Sequence, residues 1–200
     1  MTLDGMRRFA AGDLEGGMAL VERARRIQQR LDDCEGGGVA LSFLAQMTSA
    51  QGDQERALAL YRDSLTLFER VGDHPEIARV LCEMGWTALG AGNQRDAQDF
   101  FRRAVLAYEA AGSPRGTGLA MLGLAAVEVA RDHAERAVVI AAAADALSQR
   151  AGVVVEHPLA PEVYERIEAL KGSIPRSELD GIVADGSELT PAAVLAMIAD

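Results

Sequence analysis

The residues of this 200-residue chain best suited to hold a metal or attack a substrate are three histidines, His74, His133 and His157, and two cysteines, Cys34 and Cys82. Their spacing argues against both roles. No His-x-x-x-His pair occurs, and each histidine stands beside turn-forming residues such as Asp73, Asp132 or Pro158, so solvent-facing turn positions are expected. The cysteines lack metal-ligand spacing and are too few for a disulfide framework, which points to reduced thiols in a cytosol. No Ser-His-Asp or Cys-His nucleophile can be argued from order or local context. Glu165 and Glu168 could suggest acid-base chemistry, but on a short exposed helix they read as surface charge. Arg23, Arg26 and Arg30 share a helical face that could take a phosphate. Without interleaved aromatics, and with Glu22, Asp32 and Asp33 close by, they read as a solvated outer face. Gly90-Ala91-Gly92-Asn93-Gln94-Arg95 lacks the third glycine of a dinucleotide fingerprint, and no phosphate loop is present. The expectation is a protein with no catalytic residues, no metal and no cofactor.

What must position any functional residue is a repeat. Gly12-Asp13, Gly52-Asp53, Gly92-Asn93 and Arg131-Asp132 recur at a step of about forty, each between stretches with helical spacing of apolar residues. A fixed step of this size marks helical hairpins that bury their apolar faces against their neighbours. Gly17, Ala57, Ala97 and Ala137 form one column. Val21, Tyr61, Phe101 and Ala141 follow four positions on, and Ala24, Ser64, Ala104 and Ala144 three beyond, which is one helical face. The preceding helices carry Leu41, Leu44 and Ala45, then Leu81, Met84 and Gly85, then Met121, Leu124 and Ala125. Small residues belong where helices cross, because the side chains there set the distance between axes. Asp13, Asp53, Asn93 and Asp132 are expected to cap the second helices. Gly36-Gly37-Gly38, Gly72-Asp73-His74-Pro75, Gly112-Ser113-Pro114 and Gly152 are expected to break the chain between helices.

Composition narrows the class. The chain is 49% hydrophobic but only 4% aromatic, so its core must come from Ala, Leu and Val, which suits closely packed helices. A formal charge of -10 disfavours direct nucleic acid binding and an anionic membrane surface. No apolar run reaches the roughly 18 residues that span a bilayer, and the first residues have no apolar signal core, so a cytoplasmic protein is expected. Arginine far outnumbers lysine, a bias that fits a GC-rich genome and carries no functional meaning here.

The large-large-small stripe followed by Ala, aromatic, Ala resembles the tetratricopeptide repeat in a forty-residue form. The resemblance implies an all-α, right-handed superhelical solenoid over residues 1–152. Its first hairpin is truncated, and in the fourth Glu128 and Ala141 replace the usual aromatics. Residues 153–200 read as an extended linker and three short helices, about 161–171, 176–184 and 191–199, packing on the last repeat as a helical cap. The ending ADGSELTPAAVLAMIAD is similar to the Gly-x-x-Leu-Thr-x-x-x-Ala-Val terminus of LuxR-type or MalT-like bacterial regulators. That likeness implies the sensory or scaffolding end of such a regulator, here expected to stand alone.

In tetratricopeptide arrays the first helices line a concave groove. The likeness places Val39, Ser42, Gln46, Arg79, Cys82, Trp86, Leu89, Leu119 and Leu122 along it as partner-binding residues. Met6 and Phe9 take the equivalent places in the first hairpin. Trp86 would be the hydrophobic anchor, with Arg79 and Gln46 fixing polar ends. Two arrangements stay open, a groove free to take a partner, and one in which the tail folds back over Leu119 and Leu122 and Trp86 is simply core. The function expected is a non-enzymatic scaffold for a protein or peptide, in bacterial transcriptional or signalling regulation, and self-associating as a homodimer through its uncapped end. The alternative is a small-ligand or signalling-peptide sensor controlling a partner regulator.

Overall fold

The computed structural model describes residues 1–154 and 160–199. Within them the chain is all-helical. The helices are α1 (Thr2–Ala10), α2 (Leu14–Arg30), α3 (Cys34–Ala50), α4 (Gln54–Val71), α5 (His74–Gly90), α6 (Gln94–Ala110), α7 (Pro114–Ala130), α8 (Ala134–Ala151), α9 (Ala160–Ser173), α10 (Arg176–Glu188) and α11 (Pro191–Met197).

A finer period than forty sets these boundaries. From Gly12 to Gly152 a residue with positive φ recurs every twenty positions, at Gly12, Asp32, Gly52, Gly72, Gly92, Gly112, Asp132 and Gly152. The N-cap of the next helix follows one residue after each of the first seven. Asp13, Asp33, Asp53, Asp73, Asn93 and Ser113 each accept from the backbone N–H three residues on, at 2.9 to 3.3 Å. Each helix of the array therefore ends on one left-handed residue, and in six turns the next begins on a polar cap that satisfies an orphan N–H.

Two expectations are corrected by this register. Asp132 does not cap α8. It takes the left-handed position that glycine holds in the other hairpins, at φ 64°, and His133 stands at the N-cap with no side-chain capping bond. The fourth turn is thus Asp132-His133, one residue later than the pair read from the sequence. Gly36, Gly37 and Gly38 do not break the chain either, because they lie in the first turns of α3. The break falls on Asp32, whose φ of 52° ends the preceding segment, and on its neighbour Asp33, which caps α3.

Met1–Ala91 form one compact unit and Gly92–Asp200 a second. In the first, α1 packs on α2, α2 on α3, α3 on α4 and α4 on α5. Gly5 and Gly17 meet at the α1–α2 crossing, where a Cβ on either would strike the other's carbonyl oxygen within 2.8 Å. Gly17, which costs α2 intrinsic helix propensity, is thereby explained by close approach. Ala57 fills the same column one repeat later and is fully buried with Tyr61, Ser64 and Phe68. Ser64 also donates to the Gly38 carbonyl oxygen at 2.8 Å, fastening α4 to α3.

In the second unit α6 packs on α7 and α7 on α8, and the C-terminal helices close over that pair. α10 lies along α8, where Gly186 approaches the Val139 carbonyl so closely that a Cβ would sit 2.6 Å from it. α9 meets α7 and α8 through buried Val163 and Ile167, and Tyr164 Oη donates to Asp145 at 2.9 Å. Burial pushes the Tyr164 phenol up, and the Asp145 charge adds to that. α11 touches the same two helices with Val194 and Ile198 buried, and the Gln98 amide donates to the Ile198 carbonyl at 2.6 Å. The extended linker expected from residue 153 lies mostly outside the described residues.

Candidate functional site

The face expected to bind a partner falls in both units, and its accessible part is smaller than the sequence implies. In the first unit the α3 residues Val39 and Gln46 and the α5 residues Arg79 and Leu89 are at least partly exposed. Ser42, Cys82 and Trp86 are packed, at 1%, 1% and 4% exposure. The Trp86 indole therefore belongs to the buried layer rather than to the surface a partner would meet. In the second unit Leu119 is half-buried and Leu122 fully buried. Met6 and Phe9 of α1 are half-buried.

A polar clamp spans the α3–α5 face. Arg79 is held by Glu76 one turn before it, at 2.8 Å from Nε and 2.6 Å from Nη2, and Nη2 also donates to Ser42 Oγ at 2.9 Å. Ser42 in turn donates to the Val39 carbonyl. A guanidinium held along its Nε–Nη2 edge by a carboxylate and a hydroxyl keeps its charge in one place, which gives a carboxylate or a peptide carbonyl a defined point of contact. Below this layer burial pushes the Cys82 thiol well above its ordinary range, with the Glu83 charge adding to the effect, so the thiol stays protonated and inert. Burial likewise raises the Tyr61 phenol, whose hydroxyl bonds to Thr87 between α4 and α5.

The histidines divide. His74 is exposed at the start of α5, and His157 lies outside the described residues. His133 is exposed but is not a bare turn residue, since its Nδ1 sits 2.8 Å from Oε2 of Glu128. Glu128 is 1% exposed and is also approached by Arg131 at 3.2 Å and Arg136 at 3.8 Å. The position where Glu128 replaces a usual aromatic is thus a buried carboxylate tied to the α7–α8 turn. A glutamate flanked by Arg131, His133 and Arg136 was visible in the sequence, but the bond depends on the turn register that the sequence reading misplaced. Among the described residues no group of three His, Cys, Asp or Glu side chains could hold a metal ion.

Sequence reasoning missed a cleft in the first unit. Its volume is about 470 Å³, and it opens between the ends of α2 and α4 over the start of α3. Arg25 and Gln28 come from α2, Asp63 and Arg70 from α4, and Gly37 and Leu41 from α3. Arg23, Arg26 and Arg30, considered for phosphate binding, are exposed on α2 and are not part of it.

A model of the tetratricopeptide repeat matches residues 6–70 and 39–110, together just over half of the chain. No curated protein matches. Two solved structures with similar folds are a candidate kinesin light chain of Podosopora anserina with nearly identical TPR-like repeats and a substituted variant of the same protein. The first is 16% identical with a TM-score of 0.65, covering 98% of this chain and 94% of that one. The variant has the same identity and TM-score, covering 96% and 92%. At that identity the likeness concerns the fold.

Proposed function

We propose, from the premise that the chain belongs to the tetratricopeptide repeat family, that it is a non-enzymatic scaffold for a protein or peptide and binds through the α3–α5 face of its first unit. Arrays of this kind generally mediate protein–protein interaction. The observation that carries the reading is the Arg79 guanidinium, fixed by Glu76 and Ser42 on a face where Val39, Gln46 and Leu89 remain accessible. An extended peptide would set apolar side chains against Val39 and Leu89 and place a carbonyl or carboxylate on Arg79, with Gln46 pairing to its backbone. Leu119 and Leu122 take no part in this reading, since they lie in the other unit. Mass spectrometry of what co-purifies with the native protein tests it. A partner retained by wild type and lost from Arg79→Ala supports the face, and one retained equally by the variant removes it.

Two finer statements belong to the same proposal. A place in bacterial transcriptional or signalling regulation rests on the likeness of the tail, where Gly186, Leu189 and Thr190 match a regulator terminus and Ala193-Val194 follows one residue earlier than in that motif. A homodimer rests on exposed apolar residues at the first hairpin, Met1 at 47% and Leu3 at 74% exposure, beside half-buried Met6 and Phe9. Light scattering decides the second point: a monomer of 21.2 kDa at high concentration excludes it. Among the described residues no helix is long and apolar enough to cross a membrane.

A further inference from the structure

The cleft between α2, α3 and α4 exists because the α2–α3 crossing departs from the later repeats at three columns that all face it. Position 28 holds glutamine where the next repeats place Phe68 and Tyr108, and position 25 holds arginine where they place Leu65 and Val105. Position 37 is glycine where they place Ile77 and Thr117. The equivalents are packed: Phe68 and Val105 are fully buried, Leu65 is 8% exposed and Tyr108 9%. The Tyr108 ring covers Gly116 so closely that no Cβ would fit there. At the α2–α3 crossing the corresponding glycine, Gly36, is instead met by the Gln28 amide and the Asp33 carboxylate. An aromatic ring and a branched side chain are missing from one crossing, and about 470 Å³ opens in their place, within the range of small-molecule sites.

The lining states what would fit. Its floor is apolar at Gly37, Leu41 and Leu67. Gln28 Oε1 is buried and has no hydrogen-bond partner, an arrangement that favours an incoming donor. Of the two cations, Arg25 is already bound by both Glu22 oxygens at 2.7 and 2.9 Å, and Arg70 stands 3.9 Å from Asp32. Asp32, Asp33 and Asp63 outnumber them on the lining, so the unbalanced charge is negative. We infer that the cleft is a binding site for a small organic cation, an amine carried on a ring-sized apolar body. The body replaces the ring and branched side chain that the crossing lacks, and the ammonium donates to Gln28 Oε1 and the flanking carboxylates. This site is separate from the α3–α5 face and does not depend on the scaffold reading.

Isothermal titration of the full chain with phenethylamine, and with 3-phenylpropanoate as an anion of the same body, tests it. Saturable binding of the amine, with the acid at least tenfold weaker, is expected. Gly37→Ile and Gln28→Phe refill the crossing with the residue types of the other repeats and should each weaken the amine at least tenfold. Either could disturb folding, so Asp63→Asn, on an exposed carboxylate, is the third variant and should weaken the amine several-fold while circular dichroism is unchanged. No saturable binding to wild type, equal binding of the acid, or undiminished binding in a folded Gly37→Ile or in Asp63→Asn would overturn the inference.

Discussion

Glu128 buries a carboxylate in a column where a large apolar residue is expected, and the α7–α8 turn is organised around it. Its oxygens meet His133 and Arg131 at 2.8 and 3.2 Å. Glu128→Ala should therefore cost about 2 kcal/mol, the loss of charge-assisted bonds to half-exposed partners, read by denaturant melting. Glu22 gives a smaller, pH-dependent signal. Hydrogen bonds from Arg25 hold its carboxyl below the ordinary 4.5, against a lesser opposing effect of burial. Its contribution is present above pH 4.5 and fades as pH falls through the lowered folded value. The pair is about a third exposed, so Glu22→Gln should cost no more than about 1 kcal/mol at pH 7, and the difference from wild type should shrink as pH falls below the ordinary carboxyl value through the lowered folded one. At this scale the sequence showed the repeating apolar columns of the core but not which polar residues had partners. Tyr61, Phe101 and the alanine columns follow from 3.6-residue periodicity, whereas the Glu128–His133 bond and the Arg79–Ser42 bond depend on turn register and rotamer. Trp86 marks a further limit: the likeness to tetratricopeptide arrays put it on the partner face, and packing left it 4% exposed.

Among the helices, the twenty-residue alternation of a left-handed residue and a polar cap controls where each begins. Asp33→Ala should cost about 1 kcal/mol by exposing the Gly36 N–H at the start of α3, and a melting curve coincident with wild type would contradict the cap. Asp132 is the converse case, a side chain held at φ 64°. Asp132→Gly should raise stability by about 0.5 to 1 kcal/mol, since glycine adopts that conformation without Cβ strain. Crossings give a third test, because Ala97 is fully buried on α6 and Ala97→Leu should cost about 1 to 3 kcal/mol by overpacking. Helix type and spacing were legible throughout, but the exact turns at Asp32 and Asp132 were not. Both place aspartate where glycine is the usual signal, and Gly36-Gly37-Gly38 offered a stronger glycine cluster a few residues away. The tail was legible in outline: α9 and α10 each run longer than their sequence signals, with α10 ending just before Leu189-Thr190, and α11 starts at Pro191 as read.

For the whole molecule, the family and the all-helical class were readable from the forty-residue step and the small-residue columns. The cleft was not, because it arises from what three columns lack, and a missing ring or branch has no motif of its own. The division into Met1–Ala91 and Gly92–Asp200 was also not anticipated, since the repeat runs through residue 91 without a change in pattern. Whether a partner meets the α3–α5 face is read out by site-specific photo-crosslinking in cells. A photoreactive amino acid at Gln46, exposed on that face, is compared with one at Arg23, exposed on α2. One discrete protein or peptide adduct is expected from position 46, none from position 23, and loss of the adduct when Arg79→Ala is added. The same adduct from both positions, or from position 46 regardless of Arg79, would contradict that expectation.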